Sequence, residues 1–430
     1  MKTKAVRIYG ANDIRLEEFE LPAIKEDEIL AEVISDSVCM STHKAVLQGP
    51  AHKRVPEDVA VNPTIIGHEF CGVIREVGAN VNRGVYGTAE EAELVILTLR
   101  ERLCRLFGFN DPTHVVLTSG ATAAMNMLLK GFLCAGDHCL VSSMEHNAVM
   151  RPLTQLTRHG VSYTRILCDS EGFLDPEAIR LSMQPNTKLL VMAHASNVSG
   201  TLQNAEAVGV VCRELGIRFV LDAAQTAGHF PIDFQAFGLS ALVVPGHKGL
   251  LGPSGTGAML LTPDFAAQLE PLLSGGTGSA SDSEELPSFM PDRFEAGTPN
   301  IAGYYGLEAA LAYVEARGVE ALSREEAALT AYFLEQLDGL GGIRSVGTTD
   351  LSRRVGVVSL DFPDRDNAEI AYRLEREHGI LTRCGMHCAP SAHKTLGTFP
   401  QGTVRFSLGA YSKKSDIDAA VSALRALTDR

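Results

Sequence analysis

Hydrophobic and polar positions follow two different periods along this chain. Over roughly the first eighty residues they alternate, most clearly in 4–19, 28–35 and 65–77. A period of two is typical of β-strands, so this segment is predicted to be β-rich. From residue 88 leucines recur mostly at intervals of three and four, which predicts a helix over 89–107. These leucines are Leu94, Leu97, Leu99, Leu103 and Leu106.

Short apolar runs alternate with helical segments through the middle of the chain. The predicted strands are 115–118, 138–143, 188–194, 217–222, 241–244 and 257–261, and the predicted helices include 205–215 and 304–317. Alternating strands and helices predict an α/β domain whose mostly parallel sheet carries helices on both faces. We place this large domain at 82–320, after the β-rich segment at 1–81.

The C-terminal part, 321–430, shows a different arrangement of the same elements. Its predicted helices are 324–337, 367–378 and 415–427, and its predicted strands are 355–362 and 403–408. Fewer strands separated by longer helical stretches predict a smaller α+β domain.

Composition narrows the possible partners. The chain has 430 residues, 45% of them hydrophobic and 21% charged, which is typical of a globular protein with two or three domains. A net charge of -14 offers no basic face for nucleic acid or an anionic membrane. No apolar run reaches the length of a membrane span or resembles a signal peptide. Nine cysteines without a CxxC pair indicate reduced thiols, so we expect a cytoplasmic protein.

The first candidate reactive residues lie in the loop between the two apolar runs of 241–261. This loop carries His247 and Lys248 among glycines and prolines. A lysine there is solvated, ion-paired or covalently active, because an unpaired buried ammonium is costly. Upstream, Asp222 ends a predicted buried strand, where side chains of α/β sheets face the ligand crevice. A pyridoxal phosphate enzyme requires two such groups: an aspartate that faces the pyridinium nitrogen of the cofactor and a lysine that forms a Schiff base with its aldehyde.

Four motifs extend this pair into a family resemblance. They are DAAQTAGHFPID from residue 222, GHKGLLGPSGTG from residue 246, RFEAGTPN from residue 293 and GMHCAP from residue 385. From about Asn82 to the C-terminus the chain resembles the cysteine desulfurase branch of the class V aminotransferase-like enzymes. The resemblance implies fold type I, pyridoxal phosphate and conversion of L-cysteine to L-alanine. It also implies a persulfide on Cys388, a sulfur-acceptor protein or thiol, and a homodimer.

The resemblance assigns most of the cofactor contacts. Lys248 is the residue that binds the cofactor covalently and moves the α-proton, and Asp222 meets the ring nitrogen. Gln225 contacts the ring oxygen. His146 stacks on the ring and shuttles protons, although a lone histidine there is also compatible with a helix cap or a core position. Asn197 lies near the ring hydroxyl and the substrate carboxylate.

The cofactor phosphate has candidate partners from three segments. Small residues follow a predicted strand and open a helix at Ala121 and Thr122, which creates an anion site from free N–H groups and the helix dipole. The resemblance adds His247, and Thr277 or Ser279 reaching across a dimer. Relatives carry Ser or Thr where this chain has Pro245, so we expect the loss of one hydrogen bond, worth about 1–3 kcal/mol.

The sulfur chemistry is predicted in the segment around residue 388. Cys388 is the expected nucleophile, because loop exposure and nearby cations favour a thiolate. The resemblance makes Arg405 the clamp for the substrate carboxylate and Arg383 a second cation, with a structural ion pair as its alternative. Two other interpretations remain for the cysteines. One is a pair of buried thiols, and the other is a zinc site formed by Cys384, Cys388, His387 and His393.

The first 81 residues resemble a different family, the GroES-like half of zinc-dependent medium-chain dehydrogenases. The resemblance rests on VCMSTH from residue 38 and GHEFCG from residue 67, and it implies Cys39 and His68 as zinc ligands with Glu69 beside them. Vestigial or simply buried side chains are the alternative, because no GxGxxG follows a strand to hold a nicotinamide. The LDNAAT-like strand of the desulfurases is missing. A selenocysteine lyase, an aminotransferase-like enzyme, an impaired fusion and a dehydrogenase therefore remain alternatives.

Overall fold

The computed structural model divides the chain into two compact units, Met1–Glu93 and Leu94–Arg430. The residues it describes are 2–20, 29–37, 50, 58, 64–65, 69–77, 87–280 and 282–428. The boundaries that we place at 81/82 and 320/321 stay predictions.

The N-terminal unit contains two sets of antiparallel strands. Strands β1 (Lys2–Gly10) and β2 (Asp13–Glu20) form a hairpin, and β4 (Thr64–Ile65) pairs with the other edge of β1. Strands β3 (Ile29–Ser37) and β5 (Glu69–Val77) form a separate pair. These strands lie where the alternation of polar and apolar residues predicts them.

A seven-stranded sheet forms the centre of the second unit. Its strands are β6 (Val115–Thr118), β7 (His138–Ser142), β8 (Ser162–Ile166), β9 (Thr187–Ala193), β10 (Arg218–Asp222), β11 (Ala241–Pro245) and β12 (Gly257–Leu261). They are ordered β6-β12-β11-β10-β9-β7-β8, and β12 alone runs antiparallel to its neighbours. The mostly parallel α/β sheet is therefore confirmed.

Helices cover both faces of this sheet. They are α1 (Gly87–Phe107), α2 (Ala121–Phe132), α3 (Asn147–Thr157), α4 (Pro176–Leu181), α5 (Ala205–Leu215), α6 (Pro263–Ala266) and α7 (Ile301–Arg317). Successive residues of β9 enter opposite cores: Leu190 packs in one cluster and Leu189 in the other. This explains why the central strands carry consecutive apolar residues, such as 189–193 in β9 and 219–221 in β10. Within α1, Leu99 and Leu103 are buried, whereas Leu94 and Leu97 are exposed.

The C-terminal part of this unit is a smaller α+β arrangement, as predicted. The strands are β13 (Arg344–Val346), β14 (Val357–Asp361), β15 (Arg383–Gly385) and β16 (Thr403–Ser407), and the helices are α8 (Val319–Leu337), α9 (Asn367–His378), α10 (Pro390–Thr395) and α11 (Lys414–Thr428). The strands form an antiparallel sheet in the order β13-β14-β16-β15, and helices α8 and α11 pack together. Among the helices that the structure describes, none combines the length and the hydrophobicity needed to cross a membrane.

Candidate active site

A cavity of about 650 Å³ lies at the carboxyl ends of the parallel strands. Each of five neighbouring segments contributes a side chain to it: Ser119 after β6, His146 after β7, Asn197 after β9, Asp222 at the end of β10 and Lys248 after β11. This edge of an α/β sheet is where such folds bind ligands. Asp222 and Lys248 come from different strands of the sheet, and the structure brings both side chains to one cavity.

Asp222 is buried at the floor of this cavity, with 4% of its surface exposed. One of its carboxylate oxygens accepts a hydrogen bond from the Ala224 N–H at 3.0 Å. Burial raises the pKa of the Asp222 carboxyl, while the charge of Lys248 and the Ala224 bond oppose that shift. A cationic ring nitrogen placed beside this carboxylate would be stabilised, because a buried charge needs an opposite charge nearby.

Lys248 lies in the loop that connects β11 to the antiparallel strand β12. The loop folds back on itself, because the Gly252 N–H donates to the Gly246 carbonyl and the Leu251 N–H donates to the Lys248 carbonyl, each at 2.8 Å. The Lys248 side chain is exposed to the cavity, while the protein around it removes part of its hydration. Burial lowers the pKa of the Lys248 amine; Asp222 opposes this shift, and Arg405 and Arg383 add to it. A lowered pKa increases the neutral, nucleophilic fraction of the amine.

His146 combines a helix cap with a position in the cavity wall. It precedes α3, and its Nδ1 accepts a hydrogen bond from the Ala148 N–H at 3.0 Å. Burial, followed by the charges of Lys248 and Arg383, lowers the pKa of His146 to about 4. The ring is therefore neutral near pH 7, and its proton sits on Nε2 because Nδ1 is an acceptor. His146 is therefore a helix cap that also lines the cavity, and its stacking and proton-transfer role at the cofactor ring stays a prediction.

The start of α2 forms one end of the same cavity. Gly120, which precedes the helix, has a φ of 137°, a conformation that other residues rarely adopt. Ala121 and Thr122 follow it and line the cavity, where the N–H groups of a first helical turn point toward an anion. His247 and Pro245 also line this cavity, and Pro245 contributes neither a hydroxyl nor an N–H group.

Thr277 does not line this cavity. Its side chain is buried, and its hydroxyl lies 3.0 Å from the hydroxyl of Ser279, which in turn contacts Asp292. A role for Thr277 at the phosphate of a second subunit stays a prediction. By contrast, the exposed side chains of Leu272 and Leu273 in the preceding segment do line the cavity, and they leave apolar surface open there.

A second cavity of about 630 Å³ adjoins the first and contains Arg405. Arg405 Nη1 donates to the Asn197 carbonyl at 3.0 Å, whereas its buried Nε has no hydrogen-bond partner in the part of the chain that the structure describes. Burial lowers the pKa of the Arg405 guanidinium. Gln225, Lys248 and Arg383 line both this cavity and the first one, so the Arg405 guanidinium shares a space with the lysine.

Cys388 sits in a constrained loop beside this second cavity. His387 and Cys388 have φ angles of 46° and 58°, which are uncommon for residues with side chains. Two hydrogen bonds hold the loop: the Asn147 N–H donates to the Cys388 carbonyl at 2.8 Å, and the Asn197 amide donates to the His387 carbonyl at 2.6 Å. Arg383 Nη2 lies 3.7 Å from the Cys388 sulfur. A guanidinium in this position stabilises a thiolate.

These contacts refine two expectations for the sulfur site. Asn197, predicted near the cofactor and substrate, also uses its amide to hold the nucleophile loop. The candidate zinc ligands His387 and His393 bind the hydroxyls of Thr403 and Thr398 instead. In the described ranges, no group of three or more His, Cys, Asp or Glu side chains is arranged to hold a metal ion. The zinc alternative therefore finds no support around Cys388.

Three buried or partly buried groups near the site escaped the sequence-based reasoning. Glu145 is fully buried beside His146; it accepts hydrogen bonds from the Ser142 hydroxyl at 2.5 Å and the Ala193 N–H at 3.0 Å. Burial raises its pKa to about 8. His229 and Glu326 line the second cavity. His229 belongs to one of the recognised motifs, but no local signal in the sequence pairs it with Glu326.

The side chains of the first cavity fit pyridoxal phosphate. A buried carboxylate can meet the ring nitrogen, a desolvated amine can bind the aldehyde, and the start of α2 can hold the phosphate. The predicted zinc ligands of the N-terminal segment cannot be compared in this way, since Cys39 and His68 lie outside the described residues. Glu69, predicted beside them, is the first residue of β5.

Known proteins with similar sequences and structures belong to one family. The aminotransferase class V family matches residues 71–420. The chain is 36% identical over 360 residues to a probable cysteine desulfurase of Xylella fastidiosa, covering 81% of this chain and 84% of that protein. It is 32% identical over 348 residues to a probable cysteine desulfurase of Methanothermobacter thermautotrophicus, covering 80% and 86%.

Solved structures agree with this result. A cysteine desulfurase from Thermococcus onnurineus superposes with a TM-score of 0.76 at 31% identity, over 82% of this chain and 88% of that one. A cysteine desulfurase from Escherichia coli gives 0.72 at 28% identity, over 81% and 87%. The resemblance seen in the motifs is confirmed, and so is fold type I. This chain belongs to the class V aminotransferase family of pyridoxal phosphate-dependent enzymes.

Proposed function

We propose that the chain is a cysteine desulfurase, which converts L-cysteine to L-alanine and leaves the sulfur as a persulfide on Cys388. One observation carries this proposal. Arg383 lines the same cavity as Lys248 and Arg405, and its guanidinium contacts the Cys388 sulfur. Two guanidinium groups and an amine therefore line one substrate-sized space, and Arg383 connects this space to the Cys388 thiol.

Arg405 supplies the first step, which is binding of the substrate carboxylate. Its Nε–H is buried and unpaired among the described residues, and Nη1 is fixed by the Asn197 carbonyl. A carboxylate that binds to the guanidinium in this cavity receives charge-assisted hydrogen bonds. The backbone bond to Asn197 keeps the guanidinium plane oriented while the substrate enters.

Lys248 and Asp222 supply the proton chemistry. The neutral fraction of the Lys248 amine, increased by burial, can take the α-proton and later return a proton to carbon. When bound, pyridoxal phosphate holds the electron pair released at the α-carbon. Asp222 stabilises positive charge on the ring nitrogen, while Gln225, His146, Asn197, His247, Ala121 and Thr122 would hold the rest of the group.

Cys388 supplies the sulfur acceptor. Its thiolate attacks the sulfur of the substrate, a new S–S bond forms, and the bond between that sulfur and Cβ breaks. The electron pair of the broken bond stays with the carbon fragment, which takes up a proton and leaves as alanine. Arg383 compensates the thiolate charge before attack. A second thiol must then remove the sulfur from Cys388.

Further features extend this proposal. A homodimer would cover the exposed Leu272 and Leu273 at the cavity rim and bring Thr277 to a neighbouring phosphate. The final sulfur recipient would be a protein or small thiol. Seven free cysteines in the described residues fit a reducing, cytoplasmic location. The N-terminal strands fit a GroES-like origin for residues 1–81, a family in which the positions of Cys39 and His68 hold zinc.

The test compares two neighbouring cysteines. We expect Cys388→Ser to retain the absorbance of the bound cofactor but to lose cysteine-dependent formation of alanine and sulfide. Cys384→Ser is the matched control, because Cys384 lies in β15, whereas the Arg383 guanidinium contacts the sulfur of Cys388. Continued alanine and sulfide formation by Cys388→Ser would contradict the assignment. Alanine without sulfide transfer, or transamination alone, would favour another class V reaction.

A further inference from the structure

His229 and Glu326 form a buried contact that the proposed chemistry does not use. His229 belongs to the turn that follows β10 and carries Gln225, whereas Glu326 lies on α8 in the C-terminal part of the unit. Both line the second cavity together with Lys248 and Arg405. The pair therefore bridges the large sheet and the smaller α+β region at the wall of the substrate space.

Glu326 is held by the protein on both sides. Only 7% of its surface is exposed, and its Oε1 accepts a hydrogen bond from the Gly356 N–H at 2.7 Å. Its Oε2 lies 3.0 Å from His229 Nδ1, although the ring is not aligned for a hydrogen bond. A buried carboxylate needs a compensating partner, and His229 supplies the facing group.

The His229 ring, in turn, packs on the loop of the cofactor lysine. A Cβ atom at Gly249 would lie 2.2 Å from His229 Cδ2 and 2.4 Å from the Ala227 carbonyl oxygen. On the reverse side, a Cβ at Gly228 would lie 2.3 Å from the Gly249 carbonyl oxygen. No side chain fits between the two segments, so the position of the ring fixes the backbone next to Lys248.

We infer that Glu326 and His229 are positioning residues that fix the loop carrying Lys248 and couple it to helix α8. Contact runs from Gly356 through Glu326 and His229 to Gly249, next to Lys248. The inference rests on the proposed role of Lys248 as the reactive amine, and it is independent of which amino acid is the substrate.

Glu326→Gln and His229→Gln test this coupling. In the full chain freed of cofactor, we measure the modification of Lys248 by trinitrobenzenesulfonate against pH, read by peptide mass spectrometry. Displacement of the loop exposes the Lys248 amine to water, so the pH midpoint of its modification should rise by about half a pH unit or more toward the ordinary lysine value. The loss of the Glu326 negative charge by itself would lower this midpoint instead. Asp222, Arg383 and Arg405, which also face the amine, are unchanged.

The holoenzyme gives a second measurement. The kcat for cysteine should fall about tenfold or more, since displacement of a reactive group by ~1 Å costs up to ~100-fold. KM should change less, because Arg405 keeps its bond to Asn197. The control is Glu325→Gln on the same helix, which breaks the exposed pair with Arg317 and should leave both measurements unchanged.

An unchanged Lys248 midpoint in both variants would overturn the inference, and so would an equal shift in Glu325→Gln. Failure of the proposed function is a separate result. If the wild-type chain released no sulfide from cysteine, the desulfurase assignment would fall, while the Lys248 titration would still decide whether the pair positions the loop.

Discussion

Replacing Arg405 with lysine tests how the site recognises its substrate. The guanidinium makes one bond to the Asn197 carbonyl through Nη1 and leaves Nε–H buried and unpaired. A lysine ammonium has no planar fork, so it can serve the Asn197 carbonyl or the substrate carboxylate but cannot hold both in the same geometry. We therefore expect Arg405→Lys to fold normally and bind the substrate weakly.

The expected magnitude follows from the lost contacts. Hydrogen bonds to charged groups are worth about 1.5–3 kcal/mol, so losing one raises the dissociation constant about tenfold to a hundredfold. The assay is the KM for L-cysteine, together with the spectral titration of the holoenzyme with L-alanine, which binds through the same carboxylate. Arg383→Lys is the matched control, because Arg383 contacts the thiol and its loss should lower kcat more than it raises KM.

A KM within about twofold of wild type in Arg405→Lys would refute the assignment of the carboxylate clamp, since that corresponds to less than ~0.5 kcal/mol. Equal KM increases in Arg405→Lys and Arg383→Lys would show that the two guanidinium groups bind the substrate jointly. In that case the proposed division between carboxylate binding and thiolate stabilisation is wrong.

Three further changes probe the cofactor cavity. Burial raises the pKa of the Glu145 carboxyl from 4.5 to about 8. Glu145 therefore contributes stability below pH 4.5 that is lost as pH rises toward 8, so the Tm of Glu145→Gln relative to wild type should increase over that range. A Tm difference that stays constant with pH would contradict the raised pKa. Gly120→Ala forces a side chain into a φ of 137°, and cofactor affinity measured by absorbance titration should fall by about 1–3 kcal/mol. Pro245→Ser supplies a hydroxyl at the cavity wall and should tighten cofactor binding by up to about 1–3 kcal/mol, whereas Pro245→Ala should not.

Local signals in the sequence predicted the elements that have clear ends. Helix α5 begins and ends as expected because the Asn204 side chain caps its first turn and Gly216 closes it in a left-handed conformation. Asp366 and Gly379 do the same for α9. The two apolar strands around Lys248 were equally clear, since a loop rich in glycine and proline separates them.

Elements whose residues are defined by distant neighbours were missed. Strand β8 at the sheet edge has mostly accessible, polar side chains and therefore lacks the apolar run of a central strand. Strand β15 spans only three residues and exists because it pairs with β16. The leucines of α1 also misled in part: at about 100° per residue, Leu94 and Leu97 point away from the face that contains Leu99 and Leu103.

The candidate site shows the same division. Side chains at strand ends, such as Asp222 and His146, were predictable because parallel strands deliver their carboxyl ends to one edge. The contact of His229 with Glu326 depends on how separate regions pack, whereas the contact of Arg383 with the nearby Cys388 sulfur depends on the conformation of the loop between them. No spacing along the chain encodes those distances.

The two backbone tethers on either side of Cys388 have a consequence for delivery. Because the carbonyl groups of Cys388 and His387 are both hydrogen-bonded, Cys388 cannot carry a bound sulfur outward across solvent. In the proposed function the recipient thiol therefore has to travel inward to the sulfur on Cys388, and we expect its reach and shape to decide which recipients are served.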